Sequence, residues 1–248
     1  MAALEIVSGV SVTKCEKMAA VYSVMCTIVI ENWTKYRLED AVAHINDGQI
    51  SSPPTVVHPG KREMFITHYK EGTATGTYGT ASWLISSTDQ RAVVMWSCPW
   101  NFNHYTNHLA VGLTEKGTTK HEDWFDQMYT KKSGSNLHFV REEYYNDTKT
   151  ISHKNDNFEI TGTMGTTHVT EAHIIVRPLS KNGLAENLKK CVEKKAPMLL
   201  IDTKSILRWA FLCCKKSVNL KATCLPFSYT FYTLFDELLL EHVEMNYI

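Results

Sequence analysis

The chain has 248 residues, 44% hydrophobic and 21% charged; these are ordinary globular values that exclude wholesale disorder and fibrous repeats. Lys and Arg total 26, as do Asp and Glu, so the basic excess of a duplex nucleic-acid binder is missing and no nucleic-acid partner is expected. Seven cysteines, an odd number, do not form a disulfide framework and fit synthesis in a reducing compartment.

In chain order, residues 1–23 come first. Leu4, Val7 and Val10, then Met18 and Val21, form a weak apolar stripe interrupted by Gly9. Glu5 and the lack of a basic n-region speak against a secretory signal peptide, so cytoplasmic synthesis, with release from there, is the expected localisation. No window of about 18 uncharged apolar residues exists for a transmembrane helix.

A series of β-rich runs follows, separated by turn residues. They are Val24–Ile30, Glu63–Tyr69 after the His58-Pro59-Gly60 turn, Tyr78–Ser86, Ala92–Ser97, Asn107–Thr114, Asn136–Arg141, Asn157–Thr163 and Ala172–Arg177. Strands this short and this frequent predict a sandwich or barrel. One stretch breaks the pattern: across His121–Lys132, the residues Trp124, Phe125, Met128 and Tyr129 recur at helical spacing and predict a short amphipathic helix. Beyond Pro178 the character changes again. Leu184–Lys195 and Ile201–Lys216 read as helices, and Phe227–Leu240 is aromatic and aliphatic. Residues 181–248 carry 10 Lys/Arg against 7 Asp/Glu, whereas residues 1–180 carry 16 against 19.

No enzyme constellation emerges: G-x-S-x-G, the P-loop and H-E-x-x-H are all missing. His104 and His108 stand four apart, but in an Asn- and Pro-rich loop without a nearby carboxylate, so neither a metal nor a cofactor is expected. The informative segment is Trp96–His108, W-S-C-P-W-N-F-N-H-Y-T-N-H. A buried strand here runs into a loop crowded with aromatics. Such aromatics favour a membrane–water interface or a cage for a quaternary ammonium group; from pattern alone, a loop that caps the core is the alternative.

Ala74–Trp83 (A-T-G-T-Y-G-T-A-S-W) resembles the A-T-G-x-x-G-x strand entry of the actinoporins, the sea-anemone pore-forming cytolysins. Ser97–His108 resembles their S-x-P-Y-x-Y-N-x-Y-S-N-W signature. The spacing of the two blocks, His58-Pro59-Gly60-Lys61, Met128-Tyr129 and the closing strand His173–Pro178 extend the similarity over residues 22–178. The style is closest to actinoporin-like proteins of vertebrates and other non-cnidarian animals. The resemblance implies a mainly β fold, a compact sandwich flanked by short helices. It also implies a pore-forming segment 1–21 carrying Leu4, Val7 and Val10 ahead of the sandwich 22–179; residues 180–248 match nothing in the family and read as a partly helical C-terminal extension of unknown role. The implied partners are membrane lipids bearing phosphocholine headgroups, sphingomyelin among them, and further copies of the chain assembled into a pore at target-cell or endolysosomal membranes.

Carried over residue by residue, the headgroup site is Ser97, Pro99, Tyr105 and Tyr129, with Tyr78 where the family usually has a small apolar residue. The membrane-interface loop is Trp100, Phe102, His104 and His108, and Lys61 is the basic contact. Two departures stand out. His104 and His108 occupy family positions for aromatics, and would charge together on acidification. The family's tyrosine pair after the helix falls on Ser133 and Gly134. A non-lytic lipid- or carbohydrate-binding module of the same fold is the alternative function.

Overall fold

The computed structural model describes residues 21–118, 123–130 and 136–192. Strands β1 (Met25–Asn32), β2 (Leu38–Asp47), β3 (Gln49–Ser52), β4 (Arg62–His68), β5 (Thr77–Ile85), β6 (Gln90–Cys98) and β7 (Asn107–Thr114) lead to helix α1 (Trp124–Thr130). Strands β8 (Leu137–Tyr144), β9 (Ile151–Lys154), β10 (Phe158–Met164) and β11 (Val169–Pro178) complete the series, and a 3-10 turn, Lys181–Gly183, follows.

Two sheets form a sandwich. One is six-stranded, in the order β3-β4-β1-β11-β10-β9; the other is five-stranded, β2-β5-β6-β7-β8. The pairing of β1 with β11 is parallel, and every other pairing is antiparallel. Alternate residues face the shared core: Cys26, Ile28 and Ile30 from β1 meet Trp83, Trp96 and Val111 from the opposite sheet. The neighbours of these residues point outward and are buried as well. Val93, Met95 and Ala110 are covered by Trp124, Phe125 and Met128 of α1, while Met25, Val29, Met64 and Ile66 form a third buried cluster. Burial on both faces explains why β1 and β6 read as continuous apolar runs instead of alternating.

All eight expected strands are present, within a few residues of their predicted ends. Three strands had no signal in the sequence: β2, β3 and β9. Their residues are mostly half-buried or exposed, so each lacks the apolar periodicity that marks a strand. In β2 a register shift accompanies Asp40 at φ 49°. Arg91 holds this bulge, with Nη1 donating to Asp40 Oδ2 at 2.9 Å and Nη2 to its carbonyl at 2.7 Å.

The first compact unit runs to Lys189, past the boundary expected at 179. The reason is local. Gly183 O accepts from Lys35 N at 2.7 Å, Ala185 N donates to Trp33 O at 3.0 Å, and Asn187 Nδ2 donates to Gly60 O at 3.1 Å. Residues 186–192 are helical, as predicted there. Residues 1–20, with Leu4, Val7 and Val10 of the expected pore-forming segment, lie outside the described residues, as do Ser133, Gly134 and the remaining tail. Among the described residues no helix is long and apolar enough to cross a membrane.

Candidate functional site

The site is built on the outer face of the five-stranded sheet, at the end where β5 begins and β6 finishes. Register aligns one side chain per strand there. Tyr78 of β5 pairs with Ser97 of β6, Ser97 with His108 of β7, and His108 with Glu143 of β8. Helix α1 packs over the same face and brings Phe125 and Tyr129 to this row. Tyr78 lies 5.1 Å from Phe125, and Phe125 stacks on Tyr129 at 5.4 Å between ring centroids.

The β6–β7 loop closes the remaining side. Asn101 shapes it: its Oδ1 accepts from Asn103 N at 2.9 Å and its carbonyl from Tyr105 N at 3.2 Å. Asn107 Nδ2 anchors the loop's exit to the carbonyls of Gly165 and Thr167, both at 3.0 Å. Opposite, Gly76 adopts φ +86°, and a Cβ there would lie 2.2 Å from the Cys98 carbonyl oxygen. Only glycine lets the two backbones approach so closely.

These elements enclose an open cavity of about 440 Å³. Tyr78, Ser97, Pro99, Tyr105 and Tyr129 all line it, and so does Trp100. None of its lining residues carries a formal charge. Tyr105 is 59% exposed, so its ring face is free for a ligand. Burial, then Asp47 and Tyr129, raises the Tyr78 hydroxyl above its usual range, which keeps it a hydrogen-bond donor. Aromatic faces with hydroxyl donors in a neutral hollow suit a group that carries a diffuse cation beside anionic oxygens.

The other candidates lie elsewhere. Phe102 stacks on His168 at 3.9 Å, and His104 is exposed on the loop. His108 is not in the loop: it is the second residue of β7, with its side chain 8% exposed. Its Nδ1 contacts the Thr106 carbonyl at 2.9 Å, its Nε2 is 3.5 Å from Glu143, and its ring is 5.1 Å from Tyr129. Burial, then Arg141, holds the imidazole below its ordinary pKa, against an opposing pull from Glu143. The two histidines therefore do not sit together on one loop. Lys61 precedes β4 at the end away from the cavity, about 20 Å away along that strand, and does not join the site.

Arg141 and Phe125 were not anticipated. The Arg141 guanidinium lies 5.4 Å over the Tyr129 ring, Nη1 donates to the Tyr129 carbonyl, and Nη2 bonds Glu143 at 2.6 Å. Phe125 had a usable signal, since it stands four residues before Tyr129 on one helical face. Among the described residues no three His, Cys, Asp or Glu side chains gather into a cation site.

No family model matches the chain. Tereporin-Ts1 from Terebra subulata is 44% identical over 156 residues, covering 60% of this chain and 75% of that protein. Tereporin-Ca1 from Terebra anilis is 40% identical over 171 residues, covering 66% and 90%. The chain belongs to the actinoporin-like pore-forming toxins of non-cnidarian animals. Conoporin-Cn1 from Conus consors, 34% identical over 177 residues, covers 70% of this chain and 71% of its own length. Among solved structures, the lipid-binding protein Nakanori shares the fold, with a TM-score of 0.52 and 13% identity over 66% of this chain and 77% of its own. The actinoporin-like sandwich expected from the sequence is thus the fold observed.

Proposed function

We propose that this actinoporin-like chain docks on phosphocholine headgroups, sphingomyelin included, through the aromatic cavity. It then assembles with further copies and inserts residues 1–21 to open a cation-permeable pore in target-cell or endolysosomal membranes. The carrying observation is the cavity itself: all five candidate headgroup residues converge on it, and its walls are uncharged. A choline ammonium has no N–H to donate, so aromatic faces, with Tyr105 the most open, are its natural partners. The phosphate oxygens take the Ser97 and tyrosine hydroxyls. Pro99 stiffens the loop beforehand, which reduces the entropy lost on binding. Trp100, Phe102 and His104 lie on the loop that would meet the interface. Lys61 has no part in this reading.

The test is dye release from phosphatidylcholine liposomes with and without sphingomyelin, run beside co-sedimentation. The full chain should bind and release dye, more strongly with sphingomyelin. A chain beginning at Val21 should still pellet with the liposomes but release nothing. Binding without release by the full chain would select the non-lytic module instead.

A further inference from the structure

The entry into β1 is tied to the docking loop by two separate contact routes that meet at Trp100. The first runs through rings. Tyr22 stacks on His68 with centroids 3.8 Å apart at 16°, and meets the edge of Tyr69 at 6.2 Å and 83°. Tyr69 in turn packs on Trp100 at 5.0 Å, and its own amide donates to the Val24 carbonyl at 3.1 Å. The second route uses hydrogen bonds. Met25 N donates to the His168 carbonyl at 2.9 Å. The His168 imidazole, stacked on Phe102, places Nε2 2.9 Å from the Trp100 carbonyl, which requires the proton on that nitrogen.

Trp100 is therefore shared. It lines the cavity, is 36% exposed, and also completes both routes. An indole gains by moving into a membrane interface, and such a move draws its ring from Tyr69 and its carbonyl from His168. We propose that Tyr69 and His168 are positioning residues that transmit headgroup engagement at Trp100 to the root of β1, loosening residues 22–25 when the loop docks. The proposal rests on the docking reading above. It adds a timing element: the chain next to the pore-forming segment stays fastened until a lipid surface engages the loop.

Hydrogen exchange on the full chain tests this, in buffer and with dodecylphosphocholine micelles. In the native chain, micelles should speed exchange of the Met25 and Tyr69 amides at least ten-fold. The amide of Leu38, bonded to the Val57 carbonyl at the far end, should keep its rate. Tyr69→Leu and His168→Ala should show the fast Met25 exchange already in buffer, while Tyr69→Phe, which keeps the ring, should match the native chain. Native protection of Met25 in both variants in buffer would overturn the coupling. So would equal acceleration at Leu38, which would mark general loosening. Failure of the native chain to take up micelles would overturn the docking reading alone, and the buffer arms would still decide the coupling.

Discussion

The two ends of the sandwich carry cavities of similar size and opposite chemistry. At the docking end, about 440 Å³ is walled by Tyr78, Trp100, Tyr105, Phe125 and Tyr129 with no formal charge. At the other end, along β6 by about 23 Å, some 390 Å³ is lined by Gln90, Glu115, Lys116, His138, His153 and Asp156. There His138 Nε2 lies 3.0 Å from Glu115, and its ring stacks on His153 at 6.4 Å. Burial, then His138, pushes the His153 imidazole below its ordinary pKa. A zwitterion entering the distal cavity meets Glu115, Lys116 and Asp156 in its wall; one entering the aromatic cavity meets a wall without formal charge, with the Arg141 guanidinium behind the Tyr129 ring. The comparison teaches that cavities of similar volume differ in the ligand their walls suit: the uncharged aromatic wall fits the proposed headgroup role, and the charged distal wall does not.

Glycine substitutions should break the comparison most sharply. Gly76→Ala combines φ +86° with a Cβ 2.2 Å from a carbonyl oxygen, and should cost about 3 kcal/mol or more in urea unfolding. Gly117→Ala, near the distal cavity, also has positive φ (+75°), but a Cβ there would come no closer than 3.7 Å to Asp89 Oδ2. It should cost only about 1 kcal/mol of backbone strain. Equal losses would mean that the close backbone approach at Gly76 is relaxed in solution.

Next in size is the C-terminal boundary. A chain ending at Leu179 loses the partners of Lys35 N, Trp33 O and Gly60 O, together with Ala185, which is 1% exposed. At about 1 kcal/mol per hydrogen bond, it should be some 2–3 kcal/mol less stable than a chain ending at Lys189. Calorimetry on the two truncations gives the difference; identical melting would return the boundary to 179.

A smaller effect tests the ligand. Tyr105→Ala should weaken binding to choline-lipid vesicles by about 1–2 kcal/mol, roughly 5- to 30-fold. Lys116→Ala, at the distal cavity, should leave vesicle affinity unchanged within about two-fold. Unaltered affinity in the Tyr105 variant would remove the cavity from docking.

The smallest effect is the pH response of the docking end. His108 is held below its ordinary pKa by burial and Arg141, so the folded chain binds this proton later than the unfolded chain, whose value is near 6.5. Stability from the neutral imidazole is full above that pH. It declines as pH falls from about 6.5 toward the lower folded value. In the same window a growing cation beside Tyr129, faced by Arg141 and Glu143 from β8, should oppose a choline ammonium. Vesicle binding should fall a few-fold below pH 6 on zwitterionic membranes, and His108→Gln should flatten the profile. A profile identical in both proteins would acquit His108.

Legibility of the fold followed burial. β1, β6 and β7 were readable because both their faces are covered, leaving apolar runs that only a buried strand explains. β2, β3 and β9 were not, because half-buried, polar residues at sheet margins carry no period. The cavity residues were legible through the resemblance, whose two motif blocks fall on paired strands. His108 was put in the loop by the resemblance, although the strand predicted from Asn107 already contained it. Lys61 keeps the family's basic position before β4, which lies away from the cavity. Arg141 was invisible: a charged residue in V-R-E-E reads as solvent-facing, and only the overlying helix makes it otherwise.

The row Tyr78–Ser97–His108–Glu143 takes one residue from each of four neighbouring strands. A slip of one position in any of them would turn a row member inward and present a core residue in its place. Tyr78 and Ser97 of this row line the cavity, so its occupancy reports on the register of β5 against β6. A soluble ligand for it would act as a folding aid, favouring the correctly aligned sheet by mass action, about 2.7 kcal/mol at a hundred times its dissociation constant. Titrating such a ligand during refolding would count the molecules whose strands are in register.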